Sequence, residues 1–215
     1  PPRSYKLISV PDALTSVDIK CGLGTDVIGK RIYSYREAAS TNDAAYDLAL
    51  KGEREGSVII AEYQTKGRGR LGRKWVSPRG KGAYLSIILR PDILVREASI
   101  ITLLASLGVA KTIRECVNLP AFIKWPNDVL VNGGKVCGIL TELKSETDKV
   151  KFVIVGIGIN INTKKELLPE GSSSLSVEKG KDVSRMEFVK KLLKNLDRYY
   201  RIFNKGKIAG IIKEN

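Results

Sequence analysis

The chain has 215 residues, 43% of them hydrophobic and 28% charged, which suits one soluble globular domain with short appendages. Its formal charge is +14, from 37 Lys+Arg against 23 Asp+Glu, and this predicts attraction to anions such as nucleotides, nucleic acid or an acidic protein. There is no histidine, which excludes Ser-His-Asp and Cys-His catalysis, histidine-ligated zinc and a histidine general base. Any chemistry must therefore run on lysine, arginine, carboxylates, backbone amides and a bound cation. No apolar run reaches roughly 18 residues, so no transmembrane helix is expected. The first residues lack the charged-then-apolar layout of a signal peptide. Cys21, Cys116 and Cys137 form no Cys-x-x-Cys pair, a usage that suits a reducing cytosol rather than a zinc site or a disulfide framework.

Residues 1–27 read as a linker punctuated by Pro1, Pro2, Pro11, Gly22 and Gly24, with Tyr5–Ile8 as a short strand. Arg31–Tyr35 alternates polar and apolar residues, as an edge strand does. Ser40, Thr41, Asn42 and Asp43 offer capping side chains to a helix over Ala44–Lys51, which Gly52 ends. Val58–Ala61 predicts a buried strand, and Ala83–Leu89 another. An apolar-periodic helix follows over about Ala98–Cys116. Strands are expected at Ala121–Lys124, Val129–Val131 and Lys135–Leu143, and a central β-branched strand at Lys151–Ile161. Lys164–Lys181 reads as a polar loop with a serine tip at 172–174, before a last amphipathic helix over about Arg185–Phe203. Strands and helices mix without strict βαβ alternation. The fold class is therefore α+β, with one mixed, largely antiparallel sheet and helices packed on it.

Four segments carry candidate chemistry. Between Gln64 and Lys81 stand seven cations and no acid, half of the net charge. Gly67, Gly69 and Gly72 let backbone N–H groups approach a ligand, and Arg68, Arg70 and Arg73 can clamp phosphate oxygens bidentately. Such a loop closes over a polyphosphate, or else contacts nucleic acid as a basic, disordered segment. Trp75 and Tyr84 favour an ordered pocket, because a small ligand needs an apolar wall. The loop is not a Walker A motif, since no Gly-Lys-Ser/Thr follows, and its Gly-x-Gly-x-x-Gly spacing lacks the setting of a dinucleotide turn. In Lys124-Trp125-Pro126-Asn127-Asp128, proline forces Trp125 to be extended and Asn127-Asp128 makes a turn; the segment either faces a cleft or forms a hairpin with a half-buried tryptophan. Lys135 opens an otherwise apolar strand, so it is either exposed at an edge or held for an anion. Gly156 and Gly158 weaken a buried strand unless something comes close, and Asn160 would need an inward partner.

In this order and spacing the motifs resemble the catalytic domain of the biotin protein ligases. The stretches are Ser40-Thr41-Asn42, Glu62-Tyr63-Gln64, Gly67-Arg68-Gly69-Arg70, Gly72 to Pro78, Tyr84-Leu85-Ser86, Lys124 to Asp128, Lys135-Val136-Cys137-Gly138 and Gly156 to Asn160. The resemblance covers about residues 28–205 and implies a fold like that of class II aminoacyl-tRNA synthetases. It implies a two-step reaction: biotin and ATP give biotinyl-5'-AMP and pyrophosphate, then biotin passes to a lysine of a biotin carboxyl carrier protein. By the same resemblance Ser40, Thr41, Gln64, Gly67, Arg68, Tyr84, Lys135 and Gly138 would bind biotin. Arg70, Arg73, Trp75, Asn127, Asp128 and Asn160 would bind ATP. Lys135, Arg70 and Asp128 would be catalytic, with Asp128 also near the Mg²⁺ that accompanies ATP. Residues 1–27 would then be a linker after a helix-turn-helix domain, and 206–215 the start of an SH3-like domain, as in a core cut from a ligase that doubles as a repressor. A homodimer is expected only from the family, the compartment is the cytoplasm, and neither a membrane nor DNA is expected as a partner of this chain.

Two other readings compete. A lipoate–protein ligase shares the fold, but its usual Arg-Arg-x-x-Gly-Gly-Gly with a following histidine is missing. A basic nucleic-acid-binding module explains the charge and the Gly/Arg loop but leaves Lys124–Asp128 and Lys135–Gly138 without a purpose.

Overall fold

A computed structural model describes residues 12–207, and the strand expected at Tyr5–Ile8 lies outside these described residues. In chain order the elements are α1 (Ser16–Lys20), β1 (Ile32–Tyr35), α2 (Thr41–Leu50), β2 (Val58–Ala61), β3 (Gly82–Leu89), α3 (Ser99–Val117), β4 (Ala121–Lys124), β5 (Asp128–Val131), β6 (Gly134–Glu146), β7 (Lys149–Asn160), α4 (Leu175–Lys179) and α5 (Arg185–Asn204). The strands form one seven-stranded sheet in the order β1-β2-β3-β7-β6-β5-β4. Only β1 and β2 run parallel; every other neighbouring pair is antiparallel. The expected α+β class, the edge position of β1 and the central position of β7 all hold.

Side-chain alternation divides the work of the sheet. On β7, Val153, Val155, Ile157 and Ile159 join the main core with β3 residues Leu85 and Ile87 and the apolar faces of α3 and α5. On α5 the spacing Phe188, Leu192, Leu196, Tyr199 and Phe203 supplies that face. The opposite face of the same strand presents Phe152 and Ile154, which α2 covers with Ala45 and Ala49. Further along that face the apolar side chains give way to Gly156, Gly158 and Asn160. There the second layer stops and an open cleft begins.

Three local expectations change. The stretch 12–27 is not a loose linker as far as it is described: α1 is capped by Thr15, and Leu14, Ile19 and Leu23 are buried in the main core. A five-residue helix is too short for its periodicity to show in sequence. Arg185, buried at 2% exposure, ties this stretch down by donating to Asp12 (2.7 Å), Glu62 (2.8 Å) and the Gly82 carbonyl (3.2 Å). Helix α2 starts three residues earlier than expected. The Ser40 hydroxyl accepts from the Asp43 amide, so Thr41 and Asn42 belong to the first turn and their side chains are free to face the sheet. Finally, the polar loop Lys164–Lys181 contains α4, capped by Ser174, whose Leu175 reaches the core.

Among the described residues, the turn before β2 carries the one carboxylate shifted strongly. Glu53 accepts from Tyr33 Oη (2.6 Å), the Arg54 amide (2.8 Å), Ser57 Oγ (2.9 Å) and Arg31 (3.2 Å). Chiefly through the Tyr33 hydroxyl, and against the opposing effect of burial, its pKa falls from 4.5 to about 2. A depressed folded-state value means that this site stabilises the fold fully above about pH 4.5 and loses that contribution as the pH falls towards 2. Glu53→Gln should cost about 1–2 kcal/mol at neutral pH. In urea melts across a pH series, its gap to the wild type should close between about pH 4.5 and 2. A gap that stays constant with pH would show that the ionised carboxylate is not the source.

Candidate active site

The cleft lies where the α2 face of β6 and β7 is bare. Its inner part is narrow, about 50 Å³, and is lined by Ser40, Thr41, Gln64, Arg68, Arg70, Trp75, Asn127, Lys135, Gly138, Gly156 and Gly158, among others. Gly69, Arg70, Trp75, Asn127 and Lys135 also line a wider outer part of about 360 Å³, together with Arg73, Asp128, Asn160 and Ser172. Most of the expected residues thus converge on one place, from α2, β5, β6 and β7 and the loops between elements.

The glycines are required by close approach. A Cβ on Gly158 would lie 2.5 Å from the Trp75 indole, and one on Gly138 would lie 2.9 Å from it. A Cβ on Gly156 would lie 2.0 Å from Asn42 Oδ1. Trp75 therefore rests flat on backbone, and Asn42 reaches across the sheet, because β6 and β7 present no side chain there. The Trp75 Nε1 is buried without a hydrogen-bond partner among the described residues.

At the inner end the polar groups hold one another in fixed orientations. Gln64 Oε1 accepts from the Thr41 amide (2.8 Å) and hydroxyl (3.1 Å), while Gln64 Nε2 donates to Ser77 Oγ (2.9 Å). The network thus defines which way the amide points. Gly67 sits beneath it, where a Cβ would strike the Trp75 carbonyl, Ser77 Oγ and Gln64 Nε2. Ser86 Oγ donates to Asn42 Oδ1 (2.6 Å) and lies 2.8 Å from Thr41 Oγ1.

At the other end stands positive charge. Lys135 Nζ is 2.9 Å from Asp128 Oδ1 and 5.5 Å from the Trp75 ring centre. Its backbone is pinned by the serine tip of the 164–181 loop: the Lys135 amide donates to the Gly171 carbonyl (3.0 Å), and the Ser173 amide donates to the Lys135 carbonyl (2.9 Å). Asn160 donates to the Ser173 carbonyl (3.0 Å), which supplies the inward partner that its position demanded. Arg70 donates to Asn127 Oδ1 (3.1 Å), and Asn127 in turn donates to the Ile139 carbonyl (3.1 Å). Among the described residues Arg70 has no carboxylate partner, so its charge is available to an anion.

The Gly/Arg loop is folded back on itself rather than extended. The Trp75 amide donates to the Gly67 carbonyl (2.9 Å) and the Gly69 amide to the Arg73 carbonyl (2.6 Å). Leu71, at the tip, has a left-handed backbone (φ 56°) and is 89% exposed. Arg68 turns away from the tip to Asp43 and Glu142.

Some expectations need correction. Tyr84 does not wall the cleft: it is 1% exposed, fills the space over Gly82 and donates to the Pro78 carbonyl (3.1 Å) at the base of the loop. Burial pushes its hydroxyl well above the usual phenol range, with Arg185 opposing, so it is no acid–base group. The Lys124–Asp128 segment is a hairpin turn, and its Trp125 is 77% exposed and lines an adjoining hollow with Arg70, Leu71 and Asn127 rather than the cleft part that Asp128 lines. Among the described residues no group of three or more His, Cys, Asp or Glu could hold a metal ion. Cys137 lies on the core face, where burial keeps its thiol protonated. Sequence reasoning also missed Asn42, Ser86, Glu142 and Ser173. Asn42 and Ser86 do sit inside two of the quoted motifs; Glu142 carried no local signal.

The comparisons with known proteins give the family and the fold. The model of the biotin/lipoate A/B protein ligase family matches residues 33–160, and the chain belongs to that family. Among its relatives, the bifunctional ligase/repressor BirA of Bacillus subtilis is 39% identical over 203 residues, covering 93% of this chain and 62% of that protein. The Escherichia coli BirA is 31% identical over 205 residues, covering 94% and 63%. The chain thus spans less than two thirds of the length of these relatives. A solved biotin protein ligase from Aquifex aeolicus, in complex with biotin and ATP, superposes with a TM-score of 0.69 at 34% identity, covering 83% of this chain and 77% of that one. The fold is accordingly that of the biotin protein ligases, as the sequence motifs implied.

The packing of Trp75 on bare backbone makes a direct prediction. Gly158→Ala should lift the indole off its seat, shift its fluorescence in a Trp125→Phe background, and weaken ligand binding at least about tenfold, a cost of about 1.4 kcal/mol. Unchanged emission and binding would mean that Trp75 does not depend on that approach.

Proposed function

We propose that this chain activates biotin with ATP to biotinyl-5'-AMP and transfers the biotinyl group to a lysine of a biotin carboxyl carrier protein. The observation that carries this reading is the polarity of one cleft: a neutral hydrogen-bonding end at Thr41 and Gln64, the Trp75 ring between, and cations at Lys135 and Arg70. Biotin has the matching order, with a ureido ring, an apolar thiophane and chain, and a carboxylate. The solved Aquifex relative was captured with biotin and ATP. The solved Aquifex relative is a biotin protein ligase, which argues against the lipoate alternative.

In the first step a biotin carboxylate oxygen attacks the α-phosphorus of ATP and pyrophosphate leaves. This needs alignment and charge neutralisation rather than a protein nucleophile. Lys135 would hold the carboxylate and the α-phosphate, and Arg70 would lie over the same anion; Arg73 and Asn160 line the outer cleft where the nucleotide would extend. Asp128, with one oxygen engaged by Lys135, suits a Mg²⁺ that arrives on the phosphates and takes few protein ligands. That ion would neutralise phosphate charge. In the second step the target amine attacks the anhydride carbonyl, AMP leaves and the amine loses a proton, and Asp128 would help deprotonate or orient that amine. The folded loop would keep water from the adenylate. The absence of a histidine costs this scheme nothing.

Lys135→Ala should reduce adenylate formation about 10²–10³-fold with the fold intact; normal turnover would remove Lys135 from its role. Arg70→Gly should release the adenylate at least about tenfold faster and label bystander lysines; retention equal to the wild type would end the idea of the loop as a lid. The reading as a whole is tested by mixing the protein with MgATP and equal biotin and lipoate, then identifying the bound acyl-adenylate by mass spectrometry. Biotinyl-adenylate alone supports it, lipoyl-adenylate moves the chain to the neighbouring branch, and neither sinks it for this chain.

A further inference from the structure

The adenylate-protecting role of the loop rests on the reading above, but what holds the loop down can be taken from the geometry alone. Arg68 leaves the loop and meets two carboxylates from different elements: Asp43, in the first turn of α2, and Glu142, on β6 with its Oε1 at 3.3 Å. Neither carboxylate has any use in the cleft chemistry. Each is held in place from behind. Asp43 stands where the N-terminal end of a helix favours negative charge. Glu142 Oε2 accepts from Asn42 Nδ2 (2.7 Å), and Asn42 is 4% exposed and itself fixed by Ser86 Oγ (2.6 Å) and by the Leu140 carbonyl (3.3 Å). The reach of Asn42 across the sheet exists only because residue 156 has no Cβ.

We propose that Asn42, Glu142 and Asp43 are positioning residues that form an electrostatic latch for Arg68, anchoring the 64–77 loop in its closed form. An exposed ion pair is ordinarily weak because two long side chains must be ordered and salt screens them. Here one partner is already ordered by a buried amide and a second carboxylate shares the same guanidinium. The latch also adjoins the pocket floor. Thr41, next to Asn42 on α2, holds Gln64 at the root of the same loop, so the inner end of the cleft and the anchor of its cover share one helix turn.

The test uses the whole chain with Glu142→Gln, Asp43→Asn and the double variant, and Glu142→Asp as the conservative control. The first readout is tryptic cleavage within the loop at Arg68, Arg70, Arg73 and Lys74, without any ligand. The double variant should be cut about tenfold faster at low salt, an effect of about 1.4 kcal/mol. Its rate should barely change with added salt, whereas that of the wild type should rise, and Glu142→Asp should restore most of the protection. The melting temperature, measured alongside, should stay the same, which separates an open loop from a loosened fold. The second readout is the release of preformed biotinyl-AMP, which should quicken in parallel with cleavage. Equal cleavage and an equal salt response in wild type and double variant would overturn the latch. Faster cleavage in a protein that forms no adenylate would uphold the latch and reject the proposed function instead.

Discussion

The architecture depends on bare backbone at a few positions on one face of β6 and β7. Strand alternation assigns one face of the sheet to the core with α3 and α5 and the other to α2. Had that second face continued in the style of Phe152 and Ile154, α2 or another element would have had to cover it all. Instead Gly138, Gly156 and Gly158 leave a trough, into which Trp75 lies from one side and Asn42 reaches from the other. The sheet gives up side-chain packing and strand propensity there. It gains a rigid, side-chain-free floor with backbone at van der Waals distance from whatever lies on it.

Around that floor the charges are sorted. The loop from 64 to 81 brings half of the excess positive charge, yet its arginines have distinct surroundings. Arg68 is neutralised by Asp43 and Glu142 and serves as an anchor, whereas Arg70 is held by the neutral Asn127 and keeps its charge for an anion. Lys135 lies between these uses, paired with Asp128 and leaning on Trp75. A site built in this way works by positioning and by electrostatic stabilisation, which is what phosphoryl-group chemistry asks of a protein.

The loop is also tied to the rest of the domain at its roots. Glu62, two residues before Gln64, is gripped by the buried Arg185 at the start of α5, and accepts from the amide of Leu14 (2.6 Å). The Glu62 carbonyl takes the amide of Gly80 at the far end of the loop (3.1 Å). Both roots therefore close on one buried guanidinium, which also orders the segment entering the domain. This is why residues from Asp12 onward pack as part of the body, although proline and glycine give them the composition of a linker.

Much was legible in the residues. Long periodic runs located α3 and α5, β-branched runs located β2, β3 and β7, and the glycine, arginine and lysine motifs named nearly every residue that lines the cleft, because these are local signals of backbone freedom and charge. The sequence also settled what the site would not use, since a chain without histidine has few ways to run acid–base catalysis. Tertiary structure alone decided the rest. Tyr84 and Trp125 are aromatic residues in or beside motifs, yet one is buried as a buttress and the other faces solvent, and nothing in their neighbours states which. Glu142 is an ordinary acid on a long strand until β6 sets it beside Asn42 and Arg68, residues roughly 100 and 74 positions away. Composition and periodicity report what a segment can do on its own. Which face a side chain takes, and which distant charge it meets, is set by sheet register and helix docking, and these are properties of the whole chain.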